Sequence, residues 1–267
     1  MIKYSVVIPM YNNENTIKKA IQSVVNQTRY DLVDEIIIID DGSIDKSSNV
    51  VETIIGLGNY KIKLINKSNG GAASARNLGI RLAKNNYVAL LDADDEWLPN
   101  KLEIQNSIIE NHPYIHALGS NRVGEIIKHG ENVNDSIYKI SPFNYCVKNW
   151  PCTPSIIFEK TLFKNDEYFN ESMTHAEEGV FFLDLAASNS GLYYTVEPLV
   201  FCGGGKPAYG YSGLSGNLKK MHEGVKTMHM IARKKGYISF FQKIVLNFYE
   251  DIKYLRRLIL SNLRKIK

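Results

Sequence analysis

Acidic residues gather at two places in this sequence where apolar runs end. Glu35–Asp40 (EIIIID) leads into Asp40, Asp41, Gly42 and Ser43, and Tyr87–Leu91 (YVALL) leads into Asp92, Ala93, Asp94 and Asp95. Three carboxylates in four residues concentrate negative charge that is costly unless a cation offsets it. Hard divalent cations prefer carboxylate oxygen, and Mg²⁺ takes one or two carboxylates plus phosphate oxygens. The Asp92-x-Asp94 spacing therefore suggests a metal–diphosphate site, although an acid-rich turn without a ligand has the same local pattern. At the first cluster, Asp and Ser can cap the next helix while Gly makes the turn. Asp45 can serve as that cap, leaving Asp40 or Asp41 to accept hydrogen bonds from a ligand such as a nucleobase N–H. A third segment, Asn69-Gly70-Gly71-Ala72-Ala73-Ser74-Ala75-Arg76-Asn77, allows close backbone approach at a helix N-terminus, which attracts anions. Arg76 can pair there with a phosphate or with a structural carboxylate. The segment is not a Walker loop, because no Gly-Lys-Ser/Thr follows, and it lacks the full Gly-x-Gly-x-x-Gly fingerprint.

The elements that must hold these residues alternate. Ser5–Pro9, Glu35–Asp40, Lys61–Asn66 and Tyr87–Leu91 read as strands; Asn13 to Gln27, Asp45 to Ile55, Ala72 to Leu82 and Leu98 to Glu110 read as helices. Strict alternation predicts right-handed crossovers and a parallel, doubly wound sheet. Ligands of such sheets bind outside the carboxyl ends of the strands, so both acid clusters should line one crevice. Beyond residue 115 the alternation fades. Short, antiparallel strands are expected within 115–140, a strand at Ser155–Glu159 and a helix from Gly179 to Ala187. Residues 203–216 hold six Gly in 14 positions and read as a ligand-wrapping loop, with Lys206, Tyr209 and Tyr211 as candidate donor contacts. From Asn217 the pattern is helical to the end.

At 267 residues, with 44% hydrophobic and 22% charged residues, the chain can bury a sizeable core without staples. Its composition is not that of a disordered, collagen-like or coiled-coil chain. Three cysteines make no disulfide framework, and the six His show no zinc-ligand spacing. The start, MIKYSVVIPM, does not read as a secretory signal, and the apolar runs are too short to span a bilayer. A reducing, cytoplasmic location is expected. The net charge of +4 hides an asymmetry: residues 216–267 carry 13 Lys+Arg against three acids, and the rest of the chain is net acidic. No nucleic-acid motif accompanies the basic tail.

Taken together, Val6–Thr28 (VVIPMYNNENTIKKAIQSVVNQT), Glu35–Ser47 (EIIIIDDGSIDKS), Asn69–Ile80 (NGGAASARNLGI) and Tyr87–Pro99 (YVALLDADDEWLP) resemble the nucleotide-binding half of a family 2 glycosyltransferase of the GT-A fold, of the bacterial polysaccharide or lipopolysaccharide type. The resemblance implies a GT-A domain over 1–215, with a nucleotide-binding half at 1–110 and an acceptor half at 111–215, followed by a basic helical tail at 216–267. It implies that Pro9, Tyr11, Asp41, Asn69, Gly70, Arg76, Asp92 and Ala93 bind a nucleotide-sugar, most often a UDP-sugar. Pro9 and Tyr11 would lie against the base, Asp41 would accept its N–H and Asp92 would meet the ribose. Asp94 would bind Mn²⁺ or Mg²⁺ at the diphosphate, and Asp95 would support that site.

Members of this family invert the anomeric centre and use one general base, the second acid of a Glu-Asp pair opening a helix. The matching segment here is His175-Ala176-Glu177-Glu178, so Glu178 falls on the base position beside Glu177, with Glu replacing the usual Asp. The implied reaction moves a sugar to a hydroxyl of a glycan or lipid-linked acceptor in cell-surface polysaccharide synthesis. The alternative is a nucleotide-sugar-binding module without turnover. Trp150 is either a sugar-stacking platform or a core residue. Within 238–267, Phe241, Ile244, Val245, Phe248, Ile252, Leu255, Ile259, Leu263 and Ile266 recur at helical spacing among Lys and Arg. Such a helix reads as a peripheral element on an anionic membrane surface, here the inner face of the cytoplasmic membrane, or as a helix packed on the domain with its charged face to water.

Overall fold

The β-branched runs of the first half become the parallel core of a ten-stranded sheet. The computed structural model describes residues 2–58, 60–164, 166–203 and 216–265. The expected elements form with shifted ends: β1 (Tyr4–Met10), α1 (Ile17–Val25), β2 (Val33–Asp40), α2 (Ser47–Gly56), β3 (Ile62–Asn66), α3 (Ala72–Leu82), β4 (Tyr87–Leu90) and α4 (Lys101–Asn111). Strands β3, β2, β1 and β4 lie side by side and all parallel. The carboxyl ends of β1, β2 and β4, which carry the first residues of the candidate site, therefore meet along one edge.

The second half adds β5 (Glu96–Trp97), β6 (Ala117–Arg122), β7 (Glu131–Asn134), β8 (Ile137–Ile140), α5 (Pro142–Val147), β9 (Ile157–Glu159), α6 (Glu177–Ala187) and β10 (Leu192–Phe201). Here the sheet is mixed: β9 runs antiparallel to both β4 and β6, β6 is parallel to β10, and β7–β8 is the expected antiparallel hairpin. Strand β10 has no counterpart in the sequence expectations. Pro198 interrupts its apolar pattern, and the chain accommodates this residue with register shifts against β6 on either side of it.

Helices cover both faces. Ile17, Ala20, Val51, Ile54, Leu102 and Ile109 from α1, α2 and α4 pack on one side. The other side takes Ala75 and Ile80 of α3, Tyr145 of α5 and Phe181 of α6. Helix α3 approaches the sheet closely because residue 79 is Gly; a Cβ there would lie 2.4 Å from Val7 Cγ1.

The expected continuous tail helix is two helices, α7 (Leu218–Lys234) and α8 (Phe240–Lys265). Gly236, at φ 77°, takes the left-handed position after α7, while its N–H bonds Arg233 O and the N–H of Tyr237 bonds Ala232 O. Ser239 and Gln242 then form a reciprocal cap that starts α8. Both helices join the body: Val225 and Met228 of α7 and Leu246 of α8 lie in the same core as α6. The tail's charge is not arranged as expected. Glu250 of α8 is fully buried and receives Arg257 Nη1 and Lys253 Nζ, each at 2.9 Å, so two of the bases turn inward. Among the described residues no helix is long and apolar enough to cross a membrane.

Candidate active site

The loops after β1 and β2 are laced together by side chains that the sequence places at turns. Asn12, in the left-handed region at φ 54°, accepts from Ile44 N and donates its own N–H to Ser43 Oγ. Asp40 accepts from Ser43 N and the Ser48 hydroxyl, and Asp45 from Ser47 N and Glu14 N. These two acids are therefore taken up by loop and helix-start donors. Asp41 is the acid that turns toward the Gly-rich segment. Its Oδ1 accepts from Lys67 Nζ at 2.5 Å and Gly70 N at 2.9 Å, and its Oδ2 from Gly71 N at 2.7 Å. Asn69 Nδ2 donates to Asp41 O. Asp41 thus ties the carboxyl end of β2 to the start of α3, with acceptor capacity left on Oδ2. Pro9 is buried in β1, and Tyr11, just past it, is 48% exposed.

After β4 the acids divide. Asp95 is buried and accepts from Gly203 N at 2.6 Å, holding the chain where the Gly-rich segment begins. Burial, and then the charges of Asp92 and Asp94, push its carboxyl up to about 8. Ala93 is buried, Asp92 is half-buried and Asp94 is exposed. The rest of the Gly-rich segment, including Lys206, Tyr209 and Tyr211, lies outside the described residues.

Arg76 joins this cluster to the second half of the chain. From the first turns of α3 its Nη2 donates to Asp92 Oδ1 at 2.7 Å and its Nη1 to Glu177 Oε1 at 3.3 Å. The guanidinium therefore sits between two carboxylates, which is the structural pairing of the two that the sequence left open to it. Burial opposes its charge, yet the combined pull of Asp92 and Glu177 raises its pKa above the ordinary value. The guanidinium lies 5.3 Å from the ring centre of Phe169, which itself stacks on Phe181 of α6. Asn77, the next residue, fixes the Phe169 backbone through two hydrogen bonds, Nδ2 to Phe169 O at 2.9 Å and Phe169 N to Oδ1 at 2.8 Å. Spacing does not single out Phe169, and it marks Asn77 only as the end of the Asn69–Asn77 segment.

Helix α6 begins after Ala176, which adopts φ 56°, and places Glu177 and Glu178 in its first turn, where the helix dipole favours anions. Glu177 is buried and paired with Arg76; Glu178 is half-buried. Burial, and then the Glu177 charge, push the Glu178 carboxyl up to about 7. Helix α7 backs this turn at close range. A Cβ on Gly179 would meet Met228 Sδ at 2.3 Å, and one on Gly224 would meet His175 O at 2.5 Å.

One other candidate lies elsewhere. Trp150 is 4% exposed, packed in the core near Arg122, so it is not open to a sugar ring. Asn121 is buried and bonds the backbone of Ile127 and Val196.

Among the described residues no three His, Cys, Asp or Glu side chains converge as a ready-made metal cage. The donor set still suits Mn²⁺ or Mg²⁺: exposed Asp94 adjoins two acids, one of which is pushed up by burial and then by its neighbours' charge, and such ions complete their shells with phosphate oxygens.

The comparisons with known proteins bear on the family and the fold. An uncharacterized glycosyltransferase of Rickettsia conorii is 36% identical over 190 residues, covering 70% of this chain and 31% of that protein. The poly(ribitol-phosphate) beta-N-acetylglucosaminyltransferase TarS of Staphylococcus aureus is 28% identical over 190 residues, covering 68% of this chain and 32% of TarS. The chain thus spans about a third of the length of these curated relatives. The crystal structure of TarS 1–349 superposes with TM-score 0.66 at 18% identity, covering 93% of this chain and 70% of that one. The mannosyltransferase PcManGT of Pyrobaculum calidifontis, solved with GDP-Man and Mn²⁺, gives TM-score 0.66 at 15% identity, covering 98% and 75%. These likenesses carry the fold, a GT-A-type α/β sheet flanked by helices. The sequence profile of Glycosyl transferase family 2 matches residues 5–164, from β1 through β9 and including all four motifs of the nucleotide half, and the chain belongs to that family.

Proposed function

We propose that the protein is an inverting glycosyltransferase. It moves a sugar from a nucleotide-sugar, a UDP-sugar by preference, to a hydroxyl of a glycan or lipid-linked acceptor in cell-surface polysaccharide synthesis. The observation that carries this reading is the bridge Asp92–Arg76–Glu177. It holds a carboxylate, Glu178, with a pKa raised to about 7, beside the acid cluster expected to receive the donor diphosphate. A general base works best when its pKa lies near the operating pH.

In this reading Pro9, Tyr11 and Asp41 receive the base, and Asn69, Gly70, Asp92 and Ala93 line the rest of the nucleotide-sugar. Support for uridine comes from structures of TarS 1–349 in complex with UDP-GlcNAc and with UDP. Asp94 would hold Mn²⁺ or Mg²⁺, which when bound neutralises charge on the departing diphosphate. Arg76 acts on the donor side through Asp92, as a positioning residue. Asp95 fixes the root of the Gly-rich segment at Gly203. Glu178 accepts the proton of the acceptor hydroxyl as that oxygen attacks the anomeric carbon, and the nucleoside diphosphate leaves from the opposite face. Glu177, held by Arg76, keeps the first turn of α6 in place and raises the basicity of Glu178 through its charge. The two halves, 1–110 and 111–215, divide between donor and acceptor.

The test is UDP release from a panel of UDP-sugars, with Mn²⁺, in the presence of short glycan and lipid-linked acceptors. Acceptor-stimulated release that disappears in Glu178→Gln supports transfer. Nucleotide binding with no release for any acceptor would leave a binding module.

A further inference from the structure

Helix α8 is amphipathic in the opposite sense to a surface helix. Leu246, Glu250, Lys253 and Arg257 face α5 and α7, the acid and bases pairing at about the helix midpoint. The opposite face is apolar and open: Phe241 is 73% exposed, Phe248 67% and Ile259 61%. Polar atoms have been turned inward and hydrophobic ones outward, which is unfavourable for a helix in water.

The outward residues follow a seven-residue repeat. Phe241, Val245, Phe248, Ile252, Leu255 and Ile259 are spaced four, three, four, three and four apart. One set of alternate positions holds Val245, Ile252 and Ile259, all β-branched; the other holds Phe241, Phe248 and Leu255. β-Branched residues at the first seam position, with Leu at the second, favour two parallel strands; Leu255 fits that rule, while Phe241 and Phe248 add larger apolar area to the same seam. Glu250 and Arg257 occupy the position farthest from this seam, consistent with their burial against the body. The residues bordering the seam include Asp251 on one flank and Arg256 on the other, five residues apart. In a parallel pair these flanking positions face each other across the interface, so Asp251 of each copy meets Arg256 of the other. An antiparallel pair would set like flanks together and lose both contacts. Asp251 is 46% exposed while bonded to Lys226 and His222 of its own chain, and Arg256 is exposed.

From this pattern we infer that the outer face of α8 docks on α8 of a second copy of this chain. The seam from Phe241 to Ile259 is parallel, two-stranded and about 27 Å long at 1.5 Å per residue. A bilayer is the less suitable occupant. Among the described side chains from Phe241 to Ile259, the exposed charges bordering the seam are one acid and one base, whereas Lys253 and Arg257 are engaged with Glu250. Anionic lipid requires a surplus of basic residues at the surface.

The test uses the full chain. Sedimentation equilibrium at micromolar concentration should give twice the 30.2 kDa chain mass, and Ile252→Asp should give the single-chain mass with unchanged circular dichroism. The charge pair is tested by exchange: Asp251→Arg and Arg256→Asp should each weaken the dimer, and mixing the two variants should restore it, because the mixed pair has both contacts of opposite sign. Nucleotide titration of Ile252→Asp should match the parent chain, which separates this interface from the donor site. A single-chain mass for the parent, a dimer indifferent to Ile252→Asp, or no restoration on mixing would overturn the inference. So would a parent monomer that co-sediments with phosphatidylglycerol vesicles but not with phosphatidylcholine vesicles, which would assign the face to lipid.

Discussion

The turn after β4 and the first turn of α6 solve one problem in different ways. Each has adjacent acids, and in each one acid is buried and fixed while its neighbour stays more open. After β4, Asp95 is fixed by a backbone N–H, that of Gly203, and its charge is suppressed, with its carboxyl pushed up to about 8. In α6, Glu177 is fixed by a cation, Arg76, and it is the neighbour, Glu178, whose carboxyl is pushed up, to about 7. A backbone donor weakly compensates a buried carboxylate, so the structural acid takes the penalty. A guanidinium compensates it well, so the penalty falls on the next residue. The difference leaves Asp94 as the exposed acid after β4 and Glu178 as the more basic carboxylate of α6.

Four predictions sharpen or break this contrast. The largest effect belongs to Glu178→Gln, expected to lower kcat about 10²–10⁴-fold, the range for removing a general base, while leaving nucleotide affinity unchanged. A drop in affinity of similar size would place Glu178 on the donor side instead. Next, Arg76→Gln leaves Asp92 and Glu177 without their shared partner. Breaking a buried pair costs about 3–5 kcal/mol, read as a fall in Tm, and Arg76→Lys should recover part of it. The same variant removes a cation that lowers the Glu178 pKa, so the acid limb of its kcat/KM profile should move to higher pH.

The pH profile of the parent protein is a finer test. Glu178 must be ionised to accept a proton, so kcat/KM should rise as pH passes through about 7 and level off above it. A limb near the ordinary 4.5 would mean that Glu178 is not the base. The smallest effect is on stability. A carboxyl whose folded pKa is raised favours the fold when protonated, and this contribution is lost as pH rises from 4.5 through about 7. Glu178→Gln cannot ionise, so its Tm relative to the parent should be higher at pH 8 than at pH 5. Equal differences at the two pH values would show that Glu178 is not destabilised by its surroundings.

Much of the donor half was legible because local pattern and tertiary role coincide there. Helix α3 has the predicted ends, Ala72–Leu82, and the apolar runs of β1, β2 and β4 are buried on both faces, as parallel strands demand. The acids after β2 and β4 lie at the carboxyl edge for the same reason. Beyond residue 115, long-range pairing decides the structure. Strand β10 is split by Pro198, and it is a strand because β5, β6 and β8 pair with it. The break between α7 and α8 was readable in principle, from Gly236 and the Ser239-x-x-Gln242 pattern, but apolar spacing continues across it. Spacing also marked the tail as amphipathic; it could not say which face met the body, because burial of Glu250 reverses the usual choice. Arg76 was found by its type and place, yet its two carboxylate partners lie 16 and 101 residues away in sequence, so its role required the fold.

The central claim is that the two acid regions divide the work, with Asp94 serving the donor and Glu178 serving the acceptor. Calorimetric titration of UDP into the parent protein, Asp94→Ala and Glu178→Gln, each with Mn²⁺ and with EDTA, tests it most directly. The expected result is Mn²⁺-dependent binding that Asp94→Ala abolishes and Glu178→Gln preserves. Binding indifferent to Mn²⁺ and to Asp94→Ala, or lost equally in both variants, would contradict it.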